Sequence, residues 1–326
     1  MSVLEPAAQE FARAAAQGPP LHQLGPVAAR RALEDLQAGH TARPDVDGSW
    51  VTVREGDVEV RARIVRPCSS SGEVLPVLLY LHGGGWVLGS AATHDRLVRE
   101  LAVGIPGAVV LVEYDRSPEV RYPVALHQAH AVARWIHENG AESGLDPGRI
   151  AVAGDSAGGN LAAALAILMR RYGDVPFVHQ SLYYPVTDGA QDCDSYREFA
   201  DGPHLTAESM AWFWDAYLPD RTARHQATAS PLLADLAELT GLPEAFIIVD
   251  EYDVLRDEGE AYAARLIQAG VRCSCVRYNG TLHDFMVLDA LQETRAATTA
   301  VAQAIDVLRG ALYASPEQDR LAGATR

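Results

Sequence analysis

Lysine is missing from this chain: all 27 of its Lys and Arg residues are arginines. That one absence excludes Schiff-base chemistry on a lysine, a Ser–Lys dyad and a lysine-bearing phosphate loop. Cysteine is scarce, with four residues in 326, at Cys68, Cys193, Cys273 and Cys275. No C-x-x-C pair and no Cys/His zinc spacing occurs among them, so no metal site is expected. Cys273 and Cys275 stand two apart in a strand-like run and share one face, where a disulfide between them fits badly. The four are expected as free, buried thiols. Positive charge is also short, leaving a net charge of −16. Phosphate backbones and anionic lipid are therefore poor partners, and no nucleic acid is expected. No apolar run nears the length of a membrane span. The first residues carry neither the basic nor the apolar region of a secretory signal, so a cytoplasmic location is the default expectation.

What is present is apolar and regular. Hydrophobic residues make up 48% of the chain, enough for one large α/β domain or two smaller ones. Helical segments are predicted at 7–16 and 26–36, before any strand signal. Alternation begins at Trp50: Val51 and Val53, then Val58, Val60, Ala62 and Ile64 across a turn at 55–57, predict an antiparallel hairpin. Short apolar runs follow at 77–81, 108–112, 150–153, 178–183, 245–249 and 271–276. Helix-period segments such as 123–139, 160–171 and 257–269 lie between them. Strands alternating with helices predict a mostly parallel sheet with helices on both faces and the hairpin as its antiparallel edge. Between about 185 and 231 no strand is expected. Trp212, Phe213, Trp214 and Tyr217 crowd a helical run there behind the N-cap candidate Thr206, and so long an insertion is more often a lid than an idle loop. The expected organisation is N-terminal cap helices over 1–48, a catalytic domain over 49–314 with a cap insertion at about 185–231, and a polar tail over 315–326.

Two motifs carry chemistry. Gly154-Asp155-Ser156-Ala157-Gly158 follows an apolar run and precedes a helical one, the setting of a nucleophile elbow. The turn is so tight that the residues two before and two after the serine must be small. His82-Gly83-Gly84-Gly85-Trp86 follows the run 77–81. Its glycines leave backbone N–H groups unobstructed, as donors to a tetrahedral oxyanion must be. A phosphate cradle would instead open a helix and bring a lysine or a dinucleotide fingerprint.

HGGGW and GDSAGGN together resemble the bacterial hormone-sensitive-lipase family of α/β-hydrolases. The resemblance extends through Tyr184-Pro185, the DVLRDEGEAY segment from Asp253 and the NGTLHDF segment from Asn279. It implies an α/β-hydrolase fold with a helical cap made by the N-terminal helices and the 185–231 insertion. It also implies Ser156 as nucleophile, Asp253 as acid and His283 as base. The amides of Gly84, Gly85 and Ala157 are the implied oxyanion donors, with Gly83 a further candidate. Val254, Asp284 and the 113–119 segment depart from the family's pattern. None of these removes a catalytic atom, but Asp284 stands beside the base and bears on the pocket mouth and on the imidazole's pKa. Members often form dimers, so a homodimer is an open expectation.

The residues themselves support the same choices. Ser156, Asp253 and His283 run in the nucleophile, acid, histidine order of this fold, and the last two fall in loops after predicted strands. Asp250, Glu251 and Asp257 are rivals for the acid. His82 is expected to brace the glycine loop, and His127, His130 and His137 to lie on a helix surface. Trp86, Asp155, Trp212 and Trp214 are candidate pocket residues, although aromatic clusters more often pack a lid. The expected reaction is hydrolysis of a small carboxylic ester of short or medium chain through an acyl-enzyme, without a cofactor, failing below about pH 6–7 as the histidine protonates. Amide hydrolysis or acyl transfer by the same groups remains open, as does a non-catalytic binding protein.

Overall fold

The computed structural model describes residues 3–39 and 42–314; the predicted polar tail lies outside the described residues. The chain opens with α1 (Pro6–Ala15), α2 (Leu21–Leu24) and α3 (Pro26–Leu36), then the hairpin β1 (Val46–Glu55) and β2 (Val58–Pro67). There follow β3 (Leu75–Leu81), α4 (Asp95–Gly104), β4 (Ala108–Glu113), α5 (Val124–Asn139), β5 (Leu145–Asp155), α6 (Ala157–Tyr172) and β6 (Phe177–Tyr183). After α7 (Asp194–Glu198), α8 (Ala207–Tyr217) and α9 (Leu236–Leu239) come β7 (Glu244–Tyr252), α10 (Arg256–Gln268), β8 (Cys273–Leu282) and α11 (Arg295–Leu312).

The strands form one sheet in the order β1-β2-β4-β3-β5-β6-β7-β8. β2 is antiparallel to both of its neighbours, β1 and β4, and every later pair is parallel. Why the central strands read as unbroken apolar runs is plain from the alternation. Leu79, Val110, Val152, Leu182 and Ile247 belong to the core under α5, α6 and α10. Their neighbours Leu78, Val109, Ala151, Tyr183 and Ile248 belong to the core under α4 and α11. Both faces are covered, so both parities must be apolar.

The crossovers fix the site. From β3 the chain moves outward to β4, then returns to β5 on the other side of β3. Order reverses there, and the loops at the carboxyl ends of β3 and β5 diverge to leave a crevice. The glycine loop follows β3 and the Ser156 turn follows β5. β8 continues past the Asn279-Gly280 pair, which reads like a turn: Gly280 takes φ 73° and its amide donates to Glu251 at 2.8 Å. A register shift between Asp250 and Tyr252 accommodates it, and the strand runs on to deliver His283 directly.

Between β6 and β7 no strand forms, and α7 and α8 occupy the insertion. Thr206 accepts from the Ser209 amide at 3.0 Å and caps α8 as its position predicts. The N-terminal helices lie against this insertion. His22 Nδ1 is 3.1 Å from Ser209 Oγ, and Phe11 meets the His204 ring edge-on at 5.2 Å. The thiols are free, as expected, but none is fully buried: Cys68 and Cys275 are exposed and the other two half-buried. β8 is the end strand of the sheet, and at Gly280 its carbonyl accepts from the Glu5 amide at 2.7 Å.

Arg30 of α3 ties the N-terminal helices to the body. Its Nε donates to Val87 O at 2.7 Å and one terminal nitrogen to Ser117 O at 2.8 Å, while the guanidinium grips both oxygens of Glu119. That grip pushes the Glu119 carboxyl down to about 2. Substituting Arg30→Met should cost about 1–3 kcal/mol in chemical unfolding and speed proteolytic cleavage in the turn between α1 and α2. An unchanged cleavage rate would show that the helices are held by other contacts.

Candidate active site

β5 ends at Asp155 and α6 begins at Ala157, leaving Ser156 between them at φ 53° and ψ −120°. A residue with a side chain holds so strained a conformation only when its surroundings over-determine it. Here the Ser156 amide donates to Tyr183 O at 2.8 Å, and its carbonyl accepts from Asn160 and Val186 amides at 3.0 and 3.2 Å. The glycine two residues on is sterically obligatory. A Cβ at Gly158 would lie 2.0 Å from Leu81 O and 2.6 Å from the His82 carbonyl carbon, and backbone cannot give way.

β8 and β7 bring the partners. His283 Nε2 is 2.9 Å from Ser156 Oγ, and His283 Nδ1 is 2.7 Å from Asp253 Oδ2. Asp253 also accepts from the Leu255 amide at 3.0 Å, and Tyr184 packs edge-on against the imidazole at 5.0 Å. Ser156, Asp253 and His283 are all buried. Of the rival acids, Glu251 is engaged by Gly280 and Asp257 by Ser195 and Arg256. Asp253 is the one that holds Nδ1.

Asp284 reaches the other nitrogen. Its Oδ1 is 3.4 Å from His283 Nε2 and its Oδ2 3.6 Å from His204 Nε2. Burial disfavours a charge on either group, yet each is outweighed by its neighbours. Against burial, the Asp253 and Asp284 carboxylates raise the His283 imidazole above the ordinary value. Against burial, His283 and His204 lower Asp284 to about 2. The imidazole is thus more basic than the value near 6.5 on which an activity loss below about pH 6–7 is expected.

Gly84 and Gly85 take φ of 102° and 61°, and among the described residues neither amide has an internal acceptor. Ala157 opens α6, where the first N–H groups lack helical partners. The Gly83 amide instead faces His94 Nε2 at 3.3 Å. His82 braces the loop: it is buried, Nδ1 lies 2.9 Å from Gly83 O and its ring stacks on Tyr114 at 4.2 Å. Burial, reinforced by His94, lowers its pKa well below the usual histidine value. His127, by contrast, is exposed on α5, with His130 and His137 half-buried.

The four candidate pocket residues divide. The Asp155 carboxylate accepts from Tyr80 Oη at 2.7 Å and lies 3.2 Å from His94 Nε2, so it faces the core and supports the elbow rather than lining a pocket. Trp86 stacks on Tyr217 at 4.2 Å and tilts against Trp214 at 4.8 Å, with both tryptophans fully buried. They pack α8 onto the glycine loop. Trp212 is half-buried. The residue the sequence did not single out is Phe213, whose ring lies so close over Gly85 that a Cβ there would be 2.1 Å from it. Its place in the aromatic run was visible, but which ring would meet the glycines was not. His94 and Tyr80 carry no local signal at all.

Among the described residues, one His/Cys/Asp/Glu cluster has ligand atoms close enough for a metal: Asp250, Asp253 and His283, within 4.8 Å of one another. The donor set does not fit a cation. Both ring nitrogens of His283 are engaged, and an ion would have to displace Asp253 from Nδ1.

A family model described as alpha/beta hydrolase fold matches residues 78–287. The chain belongs to this family. Carboxylesterase NlhH of Mycobacterium tuberculosis is 41% identical over 241 residues, covering 74% of this chain and 75% of its own length. Ethyl acetate hydrolase of Pseudomonas putida is 36% identical over 293 residues, covering 87% and 90%. The crystal structure of a thermostable esterase from Pseudomonas putida superposes with a TM-score of 0.93 at 43% identity, covering 96% of this chain and 99% of that one. With these relatives the resemblance to the hormone-sensitive-lipase family holds, and this α/β-hydrolase is a carboxylic ester hydrolase. A non-catalytic binding protein on the same scaffold is set aside.

Gly158→Ala should destabilise the hydrolase by more than about 3 kcal/mol or prevent its folding. Gly310→Ala is the control, since a Cβ in that helical position meets nothing within 4 Å and should add up to about 1 kcal/mol. Equal unfolding midpoints for the two variants would refute the steric argument.

Proposed function

We propose that the hydrolase cleaves short- to medium-chain carboxylic esters through an acyl-enzyme on Ser156. The observation that carries this reading is the unbroken chain Asp253–His283–Ser156, at 2.7 and 2.9 Å, beside amides with no other acceptor among the described residues. His283 Nε2 takes the hydroxyl proton as Ser156 Oγ bonds to the ester carbonyl carbon, and Asp253 stabilises the imidazolium. The carbonyl oxygen becomes an oxyanion, accepting from the amides of Gly84, Gly85 and Ala157. On collapse the bond to the leaving oxygen breaks and His283 protonates the departing alcohol. Water then gives its proton to His283, attacks the acyl carbon and releases the acid, and the proton returns to Ser156.

The roof of the site supports a short chain. Phe213 lies over Gly85 and Trp212 packs against it at 5.0 Å, both on α8, an arrangement that favours a small apolar acyl group. That one relative is named ethyl acetate hydrolase is consistent with a small acyl group. The N-terminal helices and the 185–231 insertion act in this reading as the cap that keeps water from the acyl-enzyme, supported by the Phe11–His204 and His22–Ser209 contacts.

On p-nitrophenyl esters from acetate to palmitate, turnover should peak at the short end, and Ser156→Ala should reduce kcat by about 10⁴-fold or more. Activity persisting in that variant would reject the nucleophile. Phe213→Ala should move the preference toward longer chains; an unmoved profile would take Phe213 out of the pocket.

The pH dependence has a definite sign. Only neutral His283 can accept the proton, so kcat/KM rises with pH through its pKa, which Asp253 and Asp284 hold above about 6.5. The acid limb should therefore lie on the alkaline side of that value. Asp284→Asn, which removes one of the two charges, should move it down. A limb at about pH 5, or one indifferent to Asp284, would defeat the assignment of His283 as base.

A further inference from the structure

Asp250 lies near the carboxyl end of β7, opposite Tyr278 of β8, with no exposed surface. Its side chain has no part in the reaction described above, yet it belongs to the same tight group as Asp253 and His283, within 4.8 Å. Both of its oxygens are buried, and neither finds a hydrogen-bond donor among the described residues. A buried carboxylate in that condition would be an unpaired charge beside a second carboxylate, an arrangement proteins avoid by protonation. Asp253 has the complementary need. Its Oδ2 accepts from His283 and its Oδ1 from the Leu255 amide, and a carboxylate has lone pairs for more.

We propose that Asp250 is a positioning residue that remains a neutral carboxylic acid and donates its proton in a hydrogen bond to Asp253, thereby tempering the basicity of His283. The proposal rests on the reading of Asp253 and His283 as acid and base. Burial, and then the neighbouring Asp253, push the Asp250 carboxyl well above its usual range, in keeping with the geometry. The other groups facing this cluster are Asp284 from the loop after β8, with His204 against it, Tyr184 just after β6, and on the Asp253 side the buried Glu258 of α10 and Tyr196 of α7. Asp284 is the contrasting carboxyl: it has histidine partners and is ionised. One imidazole thus has an anion at each nitrogen, and an uncharged acid behind one of them.

Substituting an amide for each carboxyl separates the two states. Asp250→Asn keeps a neutral donor to Asp253, so the acid limb of kcat/KM should stay within about 0.3 pH unit of wild type, while Asp284→Asn moves it down. Asp250→Ala removes the donor and should raise the limb by about half a pH unit or more. A downward shift in Asp250→Asn would mean that Asp250 is ionised. A limb unmoved in Asp250→Ala would reduce the residue to packing. A limb in wild type that responds to chelator would put a cation where we place the proton. Each of these overturns the proposal.

Should Asp250→Ala not fold, the infrared difference between wild type and Asp250→Asn at neutral pH decides alone. A carbonyl stretch of a protonated carboxylic acid, present in wild type and lost in the variant, is expected; its absence refutes the neutral acid. That spectrum does not depend on turnover. Failure of the triad reading would show separately, as activity surviving in Ser156→Ala.

Discussion

The site depends on one steric contact, the backbone of the elbow pressed against the backbone that leaves β3. Leu81 pairs with Gly154 in the parallel register of β3 and β5, so both chains leave the sheet at the same height. A Cβ on Gly158 would strike Leu81 O and the His82 carbonyl group, which means that α6 lies directly on the start of the glycine loop. The Ser156 elbow and the glycine loop are therefore neighbours because two strands are neighbours. No long loop has to find its place, and the entropy of ordering the site is largely covered by forming the sheet.

Polar groups beneath that contact lock it. Asp155 precedes the nucleophile and holds Tyr80 of β3 and His94 of the loop before α4, while a Cβ on Gly83 would lie 2.2 Å from its Oδ2. One buried carboxylate thus connects the elbow, the strand beside it and the glycine loop. Trp86, at the far end of that loop, is clamped by Tyr217 and Trp214 from α8. The glycine segment is fixed at both ends, and in its middle the Gly84 carbonyl is held by the Val87 and Leu88 amides while the Gly84 and Gly85 amides have no acceptor among the described residues. Preorganised donors stabilise a developing oxyanion because they need not reorient as charge forms.

How much of this the sequence disclosed follows from which interactions are local. Periodicity gave the hairpin, the parallel runs and α8 with its Thr206 cap, since burial on both faces writes itself into consecutive residues. It placed the end of β8 too early, because Asn279-Gly280 looks like a turn and only the pairing with β7 shows that the strand continues. The motifs gave Ser156, His82 and the glycines, each of which is constrained by its own neighbours. Asp155 was a pocket candidate in the sequence but faces the core, because its partners Tyr80 and His94 come from segments 75 and 61 residues away. Phe213 was one aromatic among four, and only helix rotation decides which ring faces Gly85.

The electrostatics of His283 raise a tension that composition does not reveal. An imidazole between anions is a good acceptor of the serine proton, but each added anion also favours the resting cation, which can accept nothing. Asp253 holds Nδ1, and Asp284 adds a second negative charge 3.4 Å from Nε2. A third ionised carboxyl within the same few ångströms would drive the base further toward its unreactive form. The surroundings of Asp250 work against that outcome. No donor among the described residues reaches either of its oxygens, and desolvation penalises its charge where Asp253 already holds one. The same burial that makes the aspartate look misplaced is what lets it sit beside the base without adding to its charge.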